Sequence, residues 1–266
     1  MLKDITLGQY YPGSTFIHKL DARIKIAATL FYIVALFLVK DISGYGVVLG
    51  FLVLVIGASG VPLKFILRGL KPIFAIIIFT FVLNLFMIDG KVLWQWGIMK
   101  ITEESLNQAV FMALRLIFLI LGSSLLTFTT KPMALTDGME KLLNPFRKIG
   151  VPAHELAMMM TIALRFIPTL LAETDKIMKA QMARGADFES GNLLTRAKSL
   201  VPLLVPLFIS AFRIAQDLAM AMEARCYRGG DNRTRMTAME LHWQDGVASF
   251  ITIIFIGSLV YLRYFY

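Results

Sequence analysis

Residues 44–61 read GYGVVLGFLVLVIGASGV, a run dominated by glycine, valine and leucine that contains no charged residue. A helix needs about 20 mainly apolar residues to cross a bilayer, with about 17 as the lower limit, and this run qualifies. Four others resemble it. Pro72–Ile88 and Val247–Leu262 also lack charge, Ile24–Val39 is interrupted only by Lys25, and Leu106–Thr130 only by Arg115. The 266 residues would make about two soluble domains by length alone. Composition argues against that, because 57% of residues are hydrophobic, 17% are charged and mean hydropathy is +0.69, against a usual charged share of ~25%. The same values exclude disorder, collagen and a small disulfide scaffold. Cys226 is the only cysteine, so no internal disulfide forms. Residues 1–23 hold no apolar run of the kind a signal peptide needs. The reading is an all-α integral membrane protein with about five transmembrane helices.

The net charge of +9 suits either nucleic acid or a cytoplasmic membrane face. The spans exclude a soluble nucleic-acid binder. Lysine and arginine placement gives the orientation: Lys3, Lys19, Arg23, Lys25, Lys64, Arg68 and Lys71 lie on one side, and only Lys40, Lys91 and Lys100 on the other. The N-terminus is therefore expected in the cytoplasm. After four spans the chain returns there, and Lys131 to Arg235 carries fifteen of the 27 basic residues. The last span leaves the C-terminus outside. Three regions follow: residues 1–130 with four spans, a cytoplasmic region 131–245, and a C-terminal span 246–266.

Region 131–245 is apolar but punctuated. Leu156–Leu171 is interrupted by Arg165 and Pro168, and the 13-residue Leu200–Phe212 contains Pro202 and Pro206. Lengths of about 10–14 fit interfacial or core helices better than spans. Crossing would also carry Lys176, Lys179, Arg184, Arg196 and Lys198 outside, against the charge bias. We expect two long amphipathic helices at the cytoplasmic surface, each kinked by proline. Ile167, Leu170, Leu171, Ile177, Met178 and Met182 form one apolar stripe. Phe208, Ala211, Phe212, Ala215, Leu218, Ala219 and Met222 form the other. Such a stripe packs on protein or on lipid.

Several chemistries lack their residues. Neither G-x-x-x-x-G-K-[ST] nor G-x-G-x-x-G occurs, so the chain has no phosphate cradle of its own. His154-Glu155 begins like a zinc-protease helix, but Met158 stands where the second histidine belongs, and His18, His154 and His242 are too dispersed for a metal set. Ser14, His18 and Asp21 admit a hydrolase triad on paper. A Pro12-Gly13 turn into a first helix N-capped by Asp21 explains the same residues. The spans contain no Asp or Glu, which weighs against a self-contained secondary transporter. Arg115 is either a substrate contact or an interhelical hydrogen bond, and Gly46-x-x-x-Gly50 allows close helix approach.

One short pattern occurs twice. Ala180-Gln-Met-Ala183-Arg184-Gly185 ends the first amphipathic helix, and Ala221-Met-Glu-Ala224-Arg225-Cys226 ends the second. Arginine in a last turn complements the helix dipole, and glycine at the following position is a common stop. Two copies, each with small alanines clearing space around the arginine, indicate two equivalent plugs for two related sockets. A guanidinium suits such a plug, with several directed donors and a permanent charge.

The stretch Pro12-Gly-Ser-Thr-Phe-Ile-His18-Lys-Leu20-Asp21-Ala-Arg23-Ile-Lys25 resembles the entry signature of the T component of energy-coupling factor (ECF) transporters. The paired Ala-Arg ends resemble that family's coupling-helix motifs, and the rest of the chain fits its layout end to end. Ala22 stands where the family often has proline. Cys226 stands where the second motif has glycine, and its Cβ opposes a left-handed stop, for which Gly229-Gly230 offers a substitute.

The resemblance implies a non-catalytic transmembrane scaffold of an ATP-driven importer of vitamins or metal ions. Its implied partners are two homologous ABC-type ATPases, a small membrane-embedded S component that binds the substrate, and the bilayer. Ala183, Arg184, Gly185, Ala224, Arg225 and Cys226 would contact the ATPases. The chain would hold no cofactor, ATP and Mg being bound by those ATPases. Eleven of the 15 methionines lie between Met133 and Met239. Methionine repacks readily against differing partners. Met158, Met159, Met160, Met178, Met182, Met220 and Met222 are thus expected to form a surface for S components, unless they serve ordinary helix packing.

Overall fold

A computed structural model describes residues 9–87, 91–96, 99–186, 188, 199–229 and 239–265. Lys3, Ile88, Arg196, Lys198, Gly230 and Arg235 lie outside the described residues. Internal contacts divide the chain into two compact units, one of Gly8–Leu142 with Ala238–Tyr266, the other spanning Leu143–Thr237.

The first unit follows the apolar runs closely. A single turn, α1 (Phe16–Lys19), leads to α2 (Ala22–Leu38), α3 (Ile42–Ser59), α4 (Leu63–Leu70) and α5 (Phe74–Met87). Next come α6 (Glu103–Thr129) and α7 (Pro132–Leu143); the last helix of the chain, α10 (Trp243–Phe265), belongs to this unit too. By length and composition α3, α6 and α10 are able to cross a membrane, and α4 with α5 forms a further candidate bent by 55°. At 17 residues α2 meets the lower limit. The sequence did not predict the antiparallel hairpin of β1 (Val92–Trp96) and β2 (Met99–Thr102) before α6. A reciprocal capping box of Thr102 and Ser105 then starts α6.

The core of this unit is aromatic. Tyr32 on α2 packs against the stacked pair of Phe51 on α3 and Phe255 on α10, with ring centroids 6.0 and 5.9 Å away and the two phenyl rings 4.2 Å from each other. Its hydroxyl donates to the Phe118 carbonyl of α6 at 2.8 Å. One side chain thereby ties four helices together. Gly122 on α6 faces the Tyr32 ring so closely that an added Cβ would lie 2.2 Å from its Cε1. Gly46 and Gly50, expected to permit close approach, have nothing within 4 Å of such an atom. Arg115 makes the interhelical bond: its Nη2 donates to the Val39 carbonyl at 3.1 Å, at the end of α2. The guanidinium also lies over Phe37.

The N-terminal signature acts as a clasp. Asp21 N-caps α2 and pairs with Arg23 at 2.6 Å. Its own N–H donates to Asp245 at the start of α10, and Tyr11 N–H donates to the Phe128 carbonyl of α6. His18 is bonded to the Thr15 hydroxyl and the Tyr11 carbonyl, and Thr15 donates to the Ser59 carbonyl. Buried Lys25 donates to the carbonyls of His18 and Thr129. The signature therefore joins the ends of α2, α3, α6 and α10. His18 and Asp21 are committed to this clasp and to the cap, as the turn-and-cap reading has it, and not to a triad with Ser14.

In the second unit a 3₁₀ segment (Asn144–Ile149) leads to α8 (Ala153–Ala183) and α9 (Val201–Ala224). Both helices outrun the apolar runs read from the sequence, with 31 and 24 residues, and by length and composition either can cross a membrane. The two long helices expected from the sequence are found, and only the apolar runs inside them are short. Pro168 lies inside α8 without ending it, and Pro202 occupies the first turn of α9, where no intrahelical donor is lost.

Candidate functional site

The twin Ala-Arg motifs fold into the same helix end. Ala183 is the last residue of α8, Arg184 the C-cap with φ −89° and ψ 6°, and Gly185 follows at φ +89°. Ala224 is the last residue of α9, Arg225 the C-cap with φ −93° and ψ 15°, and Cys226 follows at φ +55°. Gly185 N–H donates to Met182 at 2.9 Å and Ala186 N–H to Gln181 at 3.0 Å. Cys226 N–H donates to Glu223 at 2.8 Å and Tyr227 N–H to Met222 at 3.0 Å. These are two Schellman motifs with matching bonds.

Cys226 thus corrects the sequence reading. Its Cβ does not move the stop to Gly229, although Gly229 also has positive φ, at +91°. The backbone of the motif prevails over an unfavourable residue, at a cost of about 1–2 kcal/mol for a non-glycine left-handed position. Replacing Cys226 by glycine is expected to stabilise the second tip by about 1 kcal/mol. Gly185→Ala, where the new methyl meets nothing within 4 Å, should cost a similar amount through backbone strain alone. Hydrogen exchange of the last turn of each helix measures both changes, and they should have opposite signs.

Both arginines are exposed, and neither guanidinium has a hydrogen-bond or ion-pair partner among the described residues. Ala183 and Ala224 are exposed beside them. The two helices run antiparallel. Gln181, near the end of α8, donates to the Pro202 carbonyl at the start of α9, and Tyr227, just past the end of α9, reaches Met158 near the start of α8. The arginines consequently sit at opposite ends of the pair. The 23 residues from Pro202 to Arg225 separate them by about 35 Å at 1.5 Å per residue.

The flanks of this pair are bare. Among the described residues of α8 and α9 only Ala153, Ala157 and Leu203 are buried. Met159, Met160, Met182 and Met220 are 42–60% exposed, as are Phe208 and Phe212 at 62% and 68%. Met158, Met178 and Met222 are half-buried. The expected methionine set therefore divides into an outward group and a group partly covered within the unit. An exposed apolar surface of this kind marks a protein or membrane contact. Sequence reasoning missed Tyr227, although an aromatic residue two past the second arginine, where the first motif has alanine, was a visible asymmetry.

Known proteins match along the whole chain. The CbiQ family model, described as cobalt transport protein, matches residues 13–236. A protein of Thermosediminibacter oceani named energy-coupling factor transporter transmembrane protein EcfT is 60% identical over 261 residues, 97% of this chain and 98% of its own length. The Clostridium kluyveri protein of that name is 60% identical over 258 residues, 96% of each chain. The one from Bacillus subtilis is 46% identical over 264 residues, 99% of this chain and 100% of its own. With its clasp, its paired helix ends and these relatives, the chain belongs to the CbiQ/EcfT family of energy-coupling factor transporter transmembrane proteins.

Proposed function

We propose that this membrane protein is the scaffold through which two ATPase subunits drive substrate release from a separate S component. The observation that carries the reading is the pair of matched tips. Each presents an exposed arginine on a short, rigid turn, and about 35 Å of helix separates the two. That spacing is too wide for one socket and suits one on each of two motor subunits. An exposed arginine whose donors are unmet among the described residues is a ready interface anchor.

The bare flanks of α8 and α9 support the second partner. A methionine-rich apolar surface accommodates more than one shape, so several S components would dock there in turn, importing vitamins or metal ions. ATP and Mg would be bound by the ATPases. The charge bias places the N-terminus and the tip-bearing helices in the cytoplasm and the C-terminus outside. The rival reading, a self-contained secondary transporter, requires no motor.

Affinity purification from membranes of the native host separates the two readings. Two ATPases of different sequence and one small membrane protein are expected to co-purify in defined ratio. Full uptake by this chain alone in liposomes, with no ATPase bound, would replace the scaffold with the secondary transporter.

A further inference from the structure

The two tips are alike in backbone but not in how they are held. The Tyr227 hydroxyl donates to Met158 Sδ at 2.9 Å and lies 3.4 Å from His154 Nε2. Both partners belong to the first two turns of α8. At the first tip the corresponding residue is Ala186, which has no side chain to reach across. The described cross-helix bond near that tip is the long Gln181–Pro202 contact of 3.4 Å.

We infer that Tyr227 is a positioning residue that latches the Arg225 tip to the methionine-bearing start of α8, making the two tips mechanically unequal. The inference rests on the scaffold reading above. Tyr227 is fixed at both ends, because its N–H closes the Schellman motif on Met222 while its hydroxyl holds Met158. Only Cys226 separates it from Arg225, and the left-handed turn leaves that link little freedom. Met158 in turn opens the Met158-Met159-Met160 run, whose last two members face outward. Movement of the Arg225 tip is therefore passed through the Tyr227–Met158 contact to the surface proposed for the S component. The Arg184 tip, which has no such side-chain latch among the described residues, serves as a plug only. Thioether sulfur is a soft, adaptable acceptor, so the contact survives small changes in angle while the tip moves.

The test uses the complete complex in liposomes, with uptake and ATP hydrolysis read together. Tyr227→Phe keeps the ring and removes the donor. Uptake per ATP hydrolysed is expected to fall about two- to tenfold, the range of one neutral hydrogen bond, with both ATPases still co-purifying. Met158→Leu should give the same loss, and the double variant no more than either alone. Unchanged uptake per ATP in both single variants, or losses that multiply in the double, overturns the latch. A nitroxide on Cys226, the only thiol, reads the contact without partners. Its spectrum should sharpen in Tyr227→Phe and in Met158→Leu, and an unchanged line shape overturns the latch whether or not the scaffold reading holds. Failure of ATPases to bind the unaltered protein, with a spectrum that does sharpen, rejects the scaffold alone.

Discussion

Arg184→Ala combined with Arg225→Ala is expected to abolish uptake while leaving the protein inserted and folded. Each guanidinium should make hydrogen bonds worth about 1.5–3 kcal/mol to its partner, and an interface anchor costs about 2 kcal/mol or more when truncated. Either single change should then weaken ATPase docking about ten- to a hundredfold. Removing both leaves no anchor at either end. The fold should not notice, because the bonds that close both tips are backbone to backbone and both arginines are exposed. Uptake assays beside ATPase pull-down, with detergent-extracted yield as the control, measure these effects. Normal transport by the double variant would end the plug-and-socket account.

Gly122→Ala should have the largest effect on the membrane unit itself. Its methyl would lie 2.2 Å from Tyr32 Cε1 and 2.8 Å from Cδ1 and Cζ. Turning the ring aside would give up its packing on the Phe51–Phe255 pair and the bond of its hydroxyl to the Phe118 carbonyl. Overpacking of this kind costs about 3 kcal/mol, enough to show as a lower melting temperature and a poor yield of intact protein. Adding Tyr32→Leu should restore part of the loss by opening the space. Gly46→Ala and Gly50→Ala face open space. They should be neutral or slightly stabilising, since alanine exceeds glycine in helix propensity by up to about 1 kcal/mol. Equal damage at all three glycines would contradict the close packing of α2 on α6.

The glycines show how far the sequence could be read. Gly46 and Gly50 carry a recognisable spacing and no neighbour, while Gly122 carries no spacing signal and the closest packing. A pattern reports which residues share a helix face, but only the fold decides what that face meets. The apolar runs placed α2, α3, α5, α6 and α10 well, because span length is set by the bilayer and needs no tertiary information. Pro168 and Pro206 lie inside α8 and α9 without ending them, as the reading of two long helices expects, and Pro202 sits where its missing donor costs nothing. The β1–β2 hairpin was missed because so short a strand pair leaves little periodicity. The arginine repeat was legible because both copies share one local stop, whose bonds span only six residues. Tyr227 was not, since its partner lies 69 residues away.

The thin seam between α8 and α9 also governs how the pair responds to load. Among their described residues only Ala153, Ala157 and Leu203 are fully buried, while Met158, Met178 and Met222 are half-buried, so partly exposed contacts are left to resist shear between them. Any partner that draws the two ends together or apart finds a pair of scissors with a loose pivot, whose blades each carry a proline, Pro168 or Pro206, within their length.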